Sequence, residues 1–171
     1  SSSTATVRVN LRPTVLETVP NINVYALEDF VSTATLKDKL NGNLIPYTTI
    51  SFTFQDITKS TTTDSSGKAY VSFNSSYTAG SYTLYIYFEG NNTYDSSSTQ
   101  TVVNVLKRPV ELSISSATTY VLEYFVSTAT LKDVRLEYAP IPNVQLKFNY
   151  QTQQISTTTN NLGEAYTNFY A

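Results

Sequence analysis

The 171-residue sequence contains no cysteine, histidine, methionine or tryptophan, and only 14% of its residues are charged. The absence of cysteine excludes a disulfide framework and a thiolate metal site. Without histidine or cysteine, a nucleophilic enzyme would have to use lysine or a carboxylate as its base. The sequence therefore predicts that the protein is not an enzyme. It also predicts no catalytic residues, no cofactor and no metal site.

The charges that are present show no pattern typical of nucleic-acid or membrane binding. Four Arg and seven Lys are scattered among 13 acidic residues, which gives a net charge of −2. A basic patch that could release counterions from nucleic acid is therefore missing. No apolar run approaches the roughly 20 residues of a membrane-spanning helix. We expect no nucleic-acid partner and no membrane insertion within this segment.

Most polar residues of the chain carry uncharged hydroxyl or amide side chains. The chain contains 20 Ser, 27 Thr and 14 Asn, together with 14 Tyr. A surface of this kind is familiar in extracellular β-proteins and rare in cytosolic enzymes. We therefore expect an extracellular or cell-surface location. The six Asp are dispersed along the chain, which disfavours a calcium cluster.

An internal repeat organises the chain, because the nonapeptide Phe30–Asp38 returns unchanged as Phe125–Asp133. Three further pairs lie 96 positions apart, namely Arg12-Pro13 with Arg108-Pro109, Ile45-Pro46 with Ile141-Pro142, and Gly67-Lys-Ala-Tyr70 with Gly163-Glu-Ala-Tyr166. A period of this length is one small domain. The chain is therefore predicted to contain tandem copies of one module.

Each module is predicted to consist of short β-strands. Apolar and polar residues alternate in short segments, with turn signals about every 8 to 12 residues, a pattern typical of a β-sandwich of about seven strands. In the first module the predicted strands are Val15–Val19, Tyr25–Asp38, Ile50–Gln55, Ala69–Phe73, Ser81–Glu89 and Gln100–Val105. The predicted turns include Asn41–Asn43 and Asp64–Gly67, since Gly and Asn tolerate positive φ.

The period divides the chain into three parts. Residues 1–11 align with 97–107, so they are predicted to be the last strand of a preceding repeat or a donor strand. Residues 12–106 are predicted to form a complete sandwich. Residues 107–171 are predicted to form a second sandwich that lacks its last two strands, which would leave its core open to water. Either a neighbouring chain supplies the missing strands, as in donor-strand complementation, or the sequence is a window on a longer tandem array.

Three stretches resemble a known family: Ala34–Pro46, Thr63–Val71 and Ala79–Tyr94. In that order they are similar to the patterns A-T-L-x-D-x-x-G-x-P-I, T-D-x-x-G-x-A-x-V, and A-G-x-Y followed by F-x-G-x-x-x-Y. These patterns belong to tandem bacterial and archaeal immunoglobulin-like domains, of the Big type, in cell-surface proteins. The second module departs from the family by lacking an equivalent of Gly42.

The resemblance implies an all-β fold of tandem immunoglobulin-like sandwiches with Greek-key topology. It also implies use in series, as a filament, a stalk, a surface layer or an adhesin. The partners would then be copies of the chain or adjacent repeats, in head-to-tail or lateral contact. The alternative function is an adhesin or carbohydrate-binding accessory module, whose partners would be surface glycans.

The candidate modification sites are two asparagines. Asn74 and Asn91 each begin an Asn-x-Ser/Thr sequence that is an N-glycosylation acceptor in form, and both fall in predicted turns.

Asp38 and Asp133 end the repeated strand, where we expect each to cap a turn. Lys37 is predicted to face outward, which disfavours a buried lysine–asparagine cross-link.

Outward-facing tyrosines are the candidate contact residues. Tyrosine is common in strands for structural reasons alone. An exposed tyrosine ring also suits lateral contact between fibres or stacking on a sugar ring. The candidates for lateral or ligand contact are Tyr70, Tyr85, Tyr87 and Tyr166.

Overall fold

The computed structural model describes residues 3–18, 20–75 and 78–171. All regular secondary structure in these ranges is β-strand, so the prediction of an all-β fold is confirmed. None of the described residues forms a helix long and apolar enough to cross a membrane. The chain divides into two compact units, Ser1–Lys107 and Arg108–Ala171.

The described part of the first unit contains two sheets. Its strands are β1 (Thr14–Thr18), β2 (Ile22–Tyr25), β3 (Asp29–Asp38), β4 (Thr49–Phe54), β5 (Ile57–Thr62), β6 (Lys68–Asn74), β7 (Gly80–Phe88) and β8 (Ser97–Leu106). One sheet has three strands in the order β1-β3-β6, and the other has five in the order β2-β8-β7-β4-β5. Pairs are antiparallel except β2 with β8, which is parallel. This is an immunoglobulin-like sandwich.

The core of the first unit lies between the two sheets and is aromatic at its centre. Phe30 and Phe54 meet edge to face with ring centroids 5.1 Å apart, and Phe73 packs against Phe54 at 5.7 Å. Such pairs are favourable beyond the apolar area that they bury. The alternation predicted from the sequence is confirmed, since the inward positions of β3, β4 and β7 are buried: Phe30, Ser32, Ala34, Leu36, Ile50, Phe52, Phe54, Leu84, Ile86 and Phe88.

The second unit repeats the first half of this plan. Its strands are β9 (Val110–Ile114), β10 (Tyr124–Asp133), β11 (Ala139–Pro140), β12 (Gln145–Tyr150), β13 (Gln153–Thr158) and β14 (Glu164–Tyr170). β10 pairs with β9 and β14, as β3 pairs with β1 and β6, and β12 with β13 forms a hairpin like β4 with β5. Residues 108–171, all of which are described, contain no counterpart of β7 and β8.

A buried threonine fixes the loop that contains Ile45-Pro46 in the first unit and Ile141-Pro142 in the second. The Thr63 hydroxyl donates to the carbonyl oxygen of Ile45 at 2.9 Å and accepts from the Thr48 N–H at 2.9 Å. In the second unit, the Thr159 hydroxyl makes the same two bonds, at 2.8 and 2.9 Å. Buried backbone groups need such partners, so one side chain fixes this loop in both units.

A glycine explains the recurrence of Gly67-Lys-Ala-Tyr70. Gly67 has φ 63°, and a Cβ atom there would lie 3.0 Å from the Leu36 carbonyl oxygen. At Gly163, with φ 72°, the corresponding distance to the Leu131 oxygen would be 2.5 Å. Both positions therefore need glycine for the turn and for the close approach of two backbone segments.

The predicted strand Tyr25–Asp38 is wrong at its start, because Tyr25 is the last residue of a separate strand that was not predicted. β2 ends at Tyr25 and β3 begins at Asp29, and Leu27 between them adopts φ 67°. This left-handed conformation breaks an extended strand. The break lets β2 join the five-stranded sheet while β3 lies in the other.

Residues 3–11 form no strand within this chain, although the alternation of Val7, Val9 and Leu11 predicts one. A strand needs a neighbour for its N–H and C=O groups. None of the described residues pairs with 3–11, and Val9 is 89% exposed. The role of 1–11 as a strand of another sheet stays a prediction. Residues 1, 2 and 19, which belong to predicted strands, lie outside the described residues.

The two leucines at matching positions, Leu16 and Leu112, predict unequal contributions to stability. Leu16 is 5% exposed, whereas Leu112 is 60% exposed. Leu16→Ala should lower the free energy of unfolding of the first unit by about 2–5 kcal/mol. Leu112→Ala should change that of the second unit by less than about 0.5 kcal/mol. Urea titrations followed by two-dimensional NMR report the units separately, and equal losses would contradict the unequal burial.

Two buried serines of the first unit predict opposite effects. Ser32 Oγ has no hydrogen-bond partner among the described residues, so Ser32→Ala should leave stability unchanged or raise it by up to about 1 kcal/mol. The Ser75 hydroxyl donates to the Tyr25 carbonyl at 2.8 Å and accepts from the Glu28 N–H at 3.1 Å. Ser75→Ala should therefore cost about 1–3 kcal/mol. Thermal unfolding of the two variants tests this, and a larger loss for Ser32→Ala would refute it.

Candidate functional site

An arginine–aspartate ion pair lies where the chain enters each unit. In the first unit, Arg12 Nε donates to Asp38 Oδ2, and Asp38 is 2% exposed. The other carboxylate oxygen, Oδ1, accepts from the backbone N–H of Leu40 at 2.9 Å. The carboxylate thus joins the first residues of the module to the turn that follows β3.

The second unit repeats this ion pair with an arginine that is less exposed than Arg12. Arg108 Nε donates to Asp133 Oδ2 at 2.6 Å, and Nη2 donates to Oδ1 at 3.3 Å. The side chains of Arg108 and Asp133 are 12% and 11% exposed. The Arg135 N–H donates to Asp133 Oδ1 at 2.8 Å. A two-point contact of this kind fixes direction as well as charge.

The arginines hold the pKa of both carboxyl groups below its ordinary value. For Asp38 and Asp133 alike, the main cause is the hydrogen bond from the arginine, and backbone N–H donors lower the pKa further. Burial opposes the shift, because it disfavours the charged form. The expectation that Asp38 and Asp133 cap turns is confirmed, and the ion pair is an additional function of the same carboxylate.

The structure brings two of the four candidate tyrosines together. Tyr85 and Tyr87 lie two residues apart on the outer face of β7, exposed to 55% and 43%. The residues opposite them are Thr53 and Ser51 on β4 and Gln100 and Ser98 on β8, so polar residues flank the pair on both sides. Successive residues on one face of a strand are about 7 Å apart, which places both rings on one flat surface.

The other two candidate tyrosines lie elsewhere. Tyr70 is on β6, in the three-stranded sheet, and therefore on the opposite outer face of the first sandwich. Tyr166 belongs to the second unit, where its hydroxyl accepts from Asn160 Nδ2 at 2.8 Å. The role of the four tyrosines in contacts stays a prediction.

The two glycosylation acceptors differ in local structure. Asn74 is the last residue of β6 and not a turn residue as predicted, because β6 stays paired with β3 up to Asp29. Its Nδ2 atom donates to Asp29 Oδ1 at 2.9 Å, and Ser76 lies outside the described residues. Asn91 lies in a turn as predicted, and its Oδ1 accepts from the Thr93 N–H at 2.8 Å. Modification of either asparagine stays a prediction.

The second unit has an open apolar groove of about 510 Å³ between its sheet and its hairpin. Aromatic rings form its floor, with Phe125 and Tyr150 in edge-to-face contact at 5.0 Å. Leu112 and Ile114 of β9 form one wall, and Leu146 and Phe148 of β12 form the other. In the first unit, β7 and β8 cover the equivalent surface.

The described residues contain no group of three or more Asp, Glu, His or Cys side chains that could hold a metal ion. Lys37 Nζ forms an ion pair with Glu17 at 2.6 Å on the surface. It therefore lies outside the core, as expected from the alternation of β3.

The ion pairs were not predicted, although the sequence carries a signal for them. Arg12 and Asp38 recur together as Arg108 and Asp133, and each pair keeps nearly the same separation along the chain. Opposite charges kept in both copies of a weakly charged repeat are candidates for a direct contact.

Comparison with known proteins gives only weak likenesses. No protein-family model and no curated protein matches the chain. The adhesin InvE of Yersinia pseudotuberculosis is 19% identical, with a TM-score of 0.41, over 91% of this chain and 50% of that one. The D0-D1 domain of intimin is 17% identical, with a TM-score of 0.41, over 92% and 84%.

The Escherichia coli adhesin FdeC is 16% identical, with a TM-score of 0.46, over 91% of this chain and 54% of that one. The chain thus spans about half the length of InvE and FdeC. Likenesses this weak carry no information about function, and none assigns the chain to a family.

The lowered pKa of Asp38 predicts loss of stability in acid. The carboxyl of the unfolded chain takes up its proton at about pH 3.9, whereas the folded carboxyl stays ionised to lower pH. Below about pH 4 the unfolded state therefore binds more protons than the folded state. The contribution of the ion pair to the free energy of unfolding is lost as the pH falls through this range.

Asp38→Asn should lower the urea midpoint of the first unit at neutral pH. Between about pH 6 and pH 3, the midpoint of this variant should fall less than that of the wild type. Asp56→Asn is the matched control, because Asp56 is exposed in the turn between β4 and β5. Identical pH profiles for the wild type and Asp38→Asn would contradict the assigned pair.

Proposed function

We propose that the chain is a structural repeat segment of an extracellular filament, stalk or surface-layer protein, of the Big-type immunoglobulin-like kind. The modules would be joined end to end, and their mechanism would be geometric. Packed sandwiches in series resist extension and proteolysis, while short Arg-Pro junctions restrict the backbone between modules.

The repeated ion pair is the observation that carries this proposal. Both units fix the arginine that precedes their first strand to the aspartate that ends the strand beside it. An exposed ion pair of this kind contributes little to stability, but Asp38 and Asp133 are buried. An ion pair to a buried aspartate, kept at the start of each module, specifies how the chain enters the module, which a series of modules under tension requires.

A second candidate function is carbohydrate binding by an adhesin or accessory module. The paired rings of Tyr85 and Tyr87 favour it, since exposed aromatic rings on a flat polar face suit stacking on sugars. The same rings would equally suit lateral contact between neighbouring modules.

Immunogold labelling of the source cells with antibodies against residues 12–106 tests the proposed location. We expect gold on the outer surface or along filaments of intact cells, because the proposed role is extracellular. Lysed cells serve as the control for access to the interior. Label that appears only after lysis would overturn the proposed function.

A glycan array separates the structural function from the second candidate. For a structural segment we expect no glycan to bind the wild type above background. Binding that is lost in Tyr85→Ser/Tyr87→Ser but kept in Tyr70→Ser, the control on the opposite face, would establish carbohydrate recognition instead.

A further inference from the structure

A polar cleft of about 510 Å³ lies on the first unit, where β4 begins and β7 ends. The residues that line it include Tyr47 before β4, Ser51 of β4, Ser60 of β5, and Glu89 and Asn91 after β7. The hydroxyl oxygens of Ser51 and Ser60 are 3.0 Å apart. A cleft of this size can hold a small ligand, and its polar lining suits a ligand that carries many hydroxyl groups.

Tyr47 has a backbone conformation that suits tyrosine poorly. Its φ is 52°, in the left-handed region that bulky residues rarely adopt. The matching residue of the second unit is Asn143, with φ 61°. The two turns are otherwise alike, because the N–H of Tyr47 donates to Thr63 at 2.8 Å and that of Asn143 donates to Thr159 at 2.9 Å. Asparagine tolerates this conformation, so the turn itself does not require tyrosine.

The ring of Tyr47 also adds little to the core, since the residue is 77% exposed. A side chain exposed to this degree buries little apolar surface, and the first unit gains little stability from it. A large residue that is kept in a strained conformation without being buried indicates a functional contact. We therefore looked for a ligand that the neighbouring residues of the polar cleft would place beside this ring.

Asn91, in the wall of the polar cleft, has an available amide nitrogen. Its Oδ1 atom accepts from the backbone N–H groups of Thr93 and Tyr94, both at 2.8 Å. Its Nδ2 atom forms no hydrogen bond with any residue that the structure describes. Asn91 is exposed, and it begins the acceptor sequence Asn91-Asn92-Thr93.

Asn74, the other acceptor in form, is held differently. It is the last residue of β6 and pairs with Asp29 of β3. Its Nδ2 atom already donates to Asp29 Oδ1 at 2.9 Å. A transferase that acts on the folded chain would have to disturb this pairing. Asn91 is therefore the acceptor that the folded first unit presents.

We propose that Asn91 carries an N-linked glycan whose first sugars lie in the polar cleft, with a sugar ring stacked on Tyr47. The donor is an oligosaccharide linked to a lipid diphosphate. In the transfer, Asn91 Nδ2 loses one proton and bonds to the anomeric carbon of the first sugar. The bond between that carbon and the diphosphate oxygen breaks, and the lipid diphosphate leaves.

The chemistry of the polar cleft fits a neutral sugar. Sugar hydroxyls both donate and accept, so they can bond to the Glu89 carboxylate and to the hydroxyls of Ser51 and Ser60. The apolar side of a sugar ring suits the Tyr47 ring. The lining residues include one carboxylate and no cation, and Lys59 next to Ser60 donates instead to the Ser72 oxygen at 2.7 Å. An acidic sugar would therefore be repelled.

Covalent attachment removes the need for tight binding. A sugar tethered at Asn91 is present beside the polar cleft at an effective concentration on the order of millimolar. The contact is thus compatible with the absence of free glycan binding that we expect on an array. The inference rests on the proposed extracellular function, because N-linked glycans are attached to exported chains. It goes beyond that function by naming the modified residue and the surface that the glycan covers.

Export of the full chain from yeast, behind a cleavable signal peptide, tests the site. The readout is the mass that peptide N-glycosidase releases after unfolding, which excludes glycans on Ser and Thr. We expect Asn91→Gln to lose one glycan relative to the wild type. Asn74→Gln is the matched control and should keep the glycan at Asn91. Equal released mass from the wild type and Asn91→Gln would overturn the proposal.

The rate of enzymatic release from the folded, glycosylated chain tests the contact with Tyr47. Tyr47→Asn, which introduces the residue of the second unit, should speed release several-fold because the first sugars lose their stacking partner. Tyr70→Ser, on the opposite outer face, should leave the rate unchanged. Equal rates for the wild type and Tyr47→Asn would overturn the contact.

A glycan-free background separates this contact from a structural role of Tyr47. In the Asn91→Gln chain, Tyr47→Asn should leave the urea midpoint of the first unit unchanged or raise it, because asparagine tolerates the left-handed turn. A lower midpoint would show that the ring stabilises the fold itself and would overturn the proposal.

These measurements are independent of the location of the chain in its source cells. Their failure would leave a positive surface-labelling result, and with it the proposed function, intact. Label confined to the interior of the source cells would overturn the proposed function, whereas the glycan and its contact would still be measured on the chain exported from yeast.

Discussion

Closure of the core between two sheets is the constraint on which the structure depends. In the first unit β7 and β8 complete the five-stranded sheet, and the core residues of β3, β4 and β7 are excluded from water. In the second unit the same first strands form, yet Leu112 stays exposed and residues 117–120 remain outside any sheet. The two units therefore compare one sequence pattern with and without its covering strands, and apolar burial is what differs.

Some interactions are less sensitive to closure. The Arg–Asp pair, the buried threonine and the left-handed leucine all appear in both units, because none of them involves a residue of β7 or β8. These interactions therefore form in a module whether or not strands of the β7 and β8 type cover it.

The fold class and most strands could be predicted from alternation, because burial on one face of a strand imposes a period of two. β5 was not predicted, since its residues are almost all exposed and carry no apolar alternation. The break at Leu27 was also missed, because neither Gly nor Pro marks it. The ion pairs join residues about 25 positions apart, as Arg12 and Asp38 are, and their contact depends on the pairing of β1 with β3. Only the repeat itself indicated that these residues belong together.

Apolar burial between two sheets is the proposed source of stability in each unit, and amide hydrogen exchange of the full chain at low concentration tests this most directly. Exchange reports which backbone hydrogen bonds open and how readily. We expect strong protection in β4, which lies between β5 and β7, and little protection along β12 and at residues 117–120. Protection of β12 and 117–120 equal to that of β4 and β2, in a chain shown to be monomeric, would contradict the account.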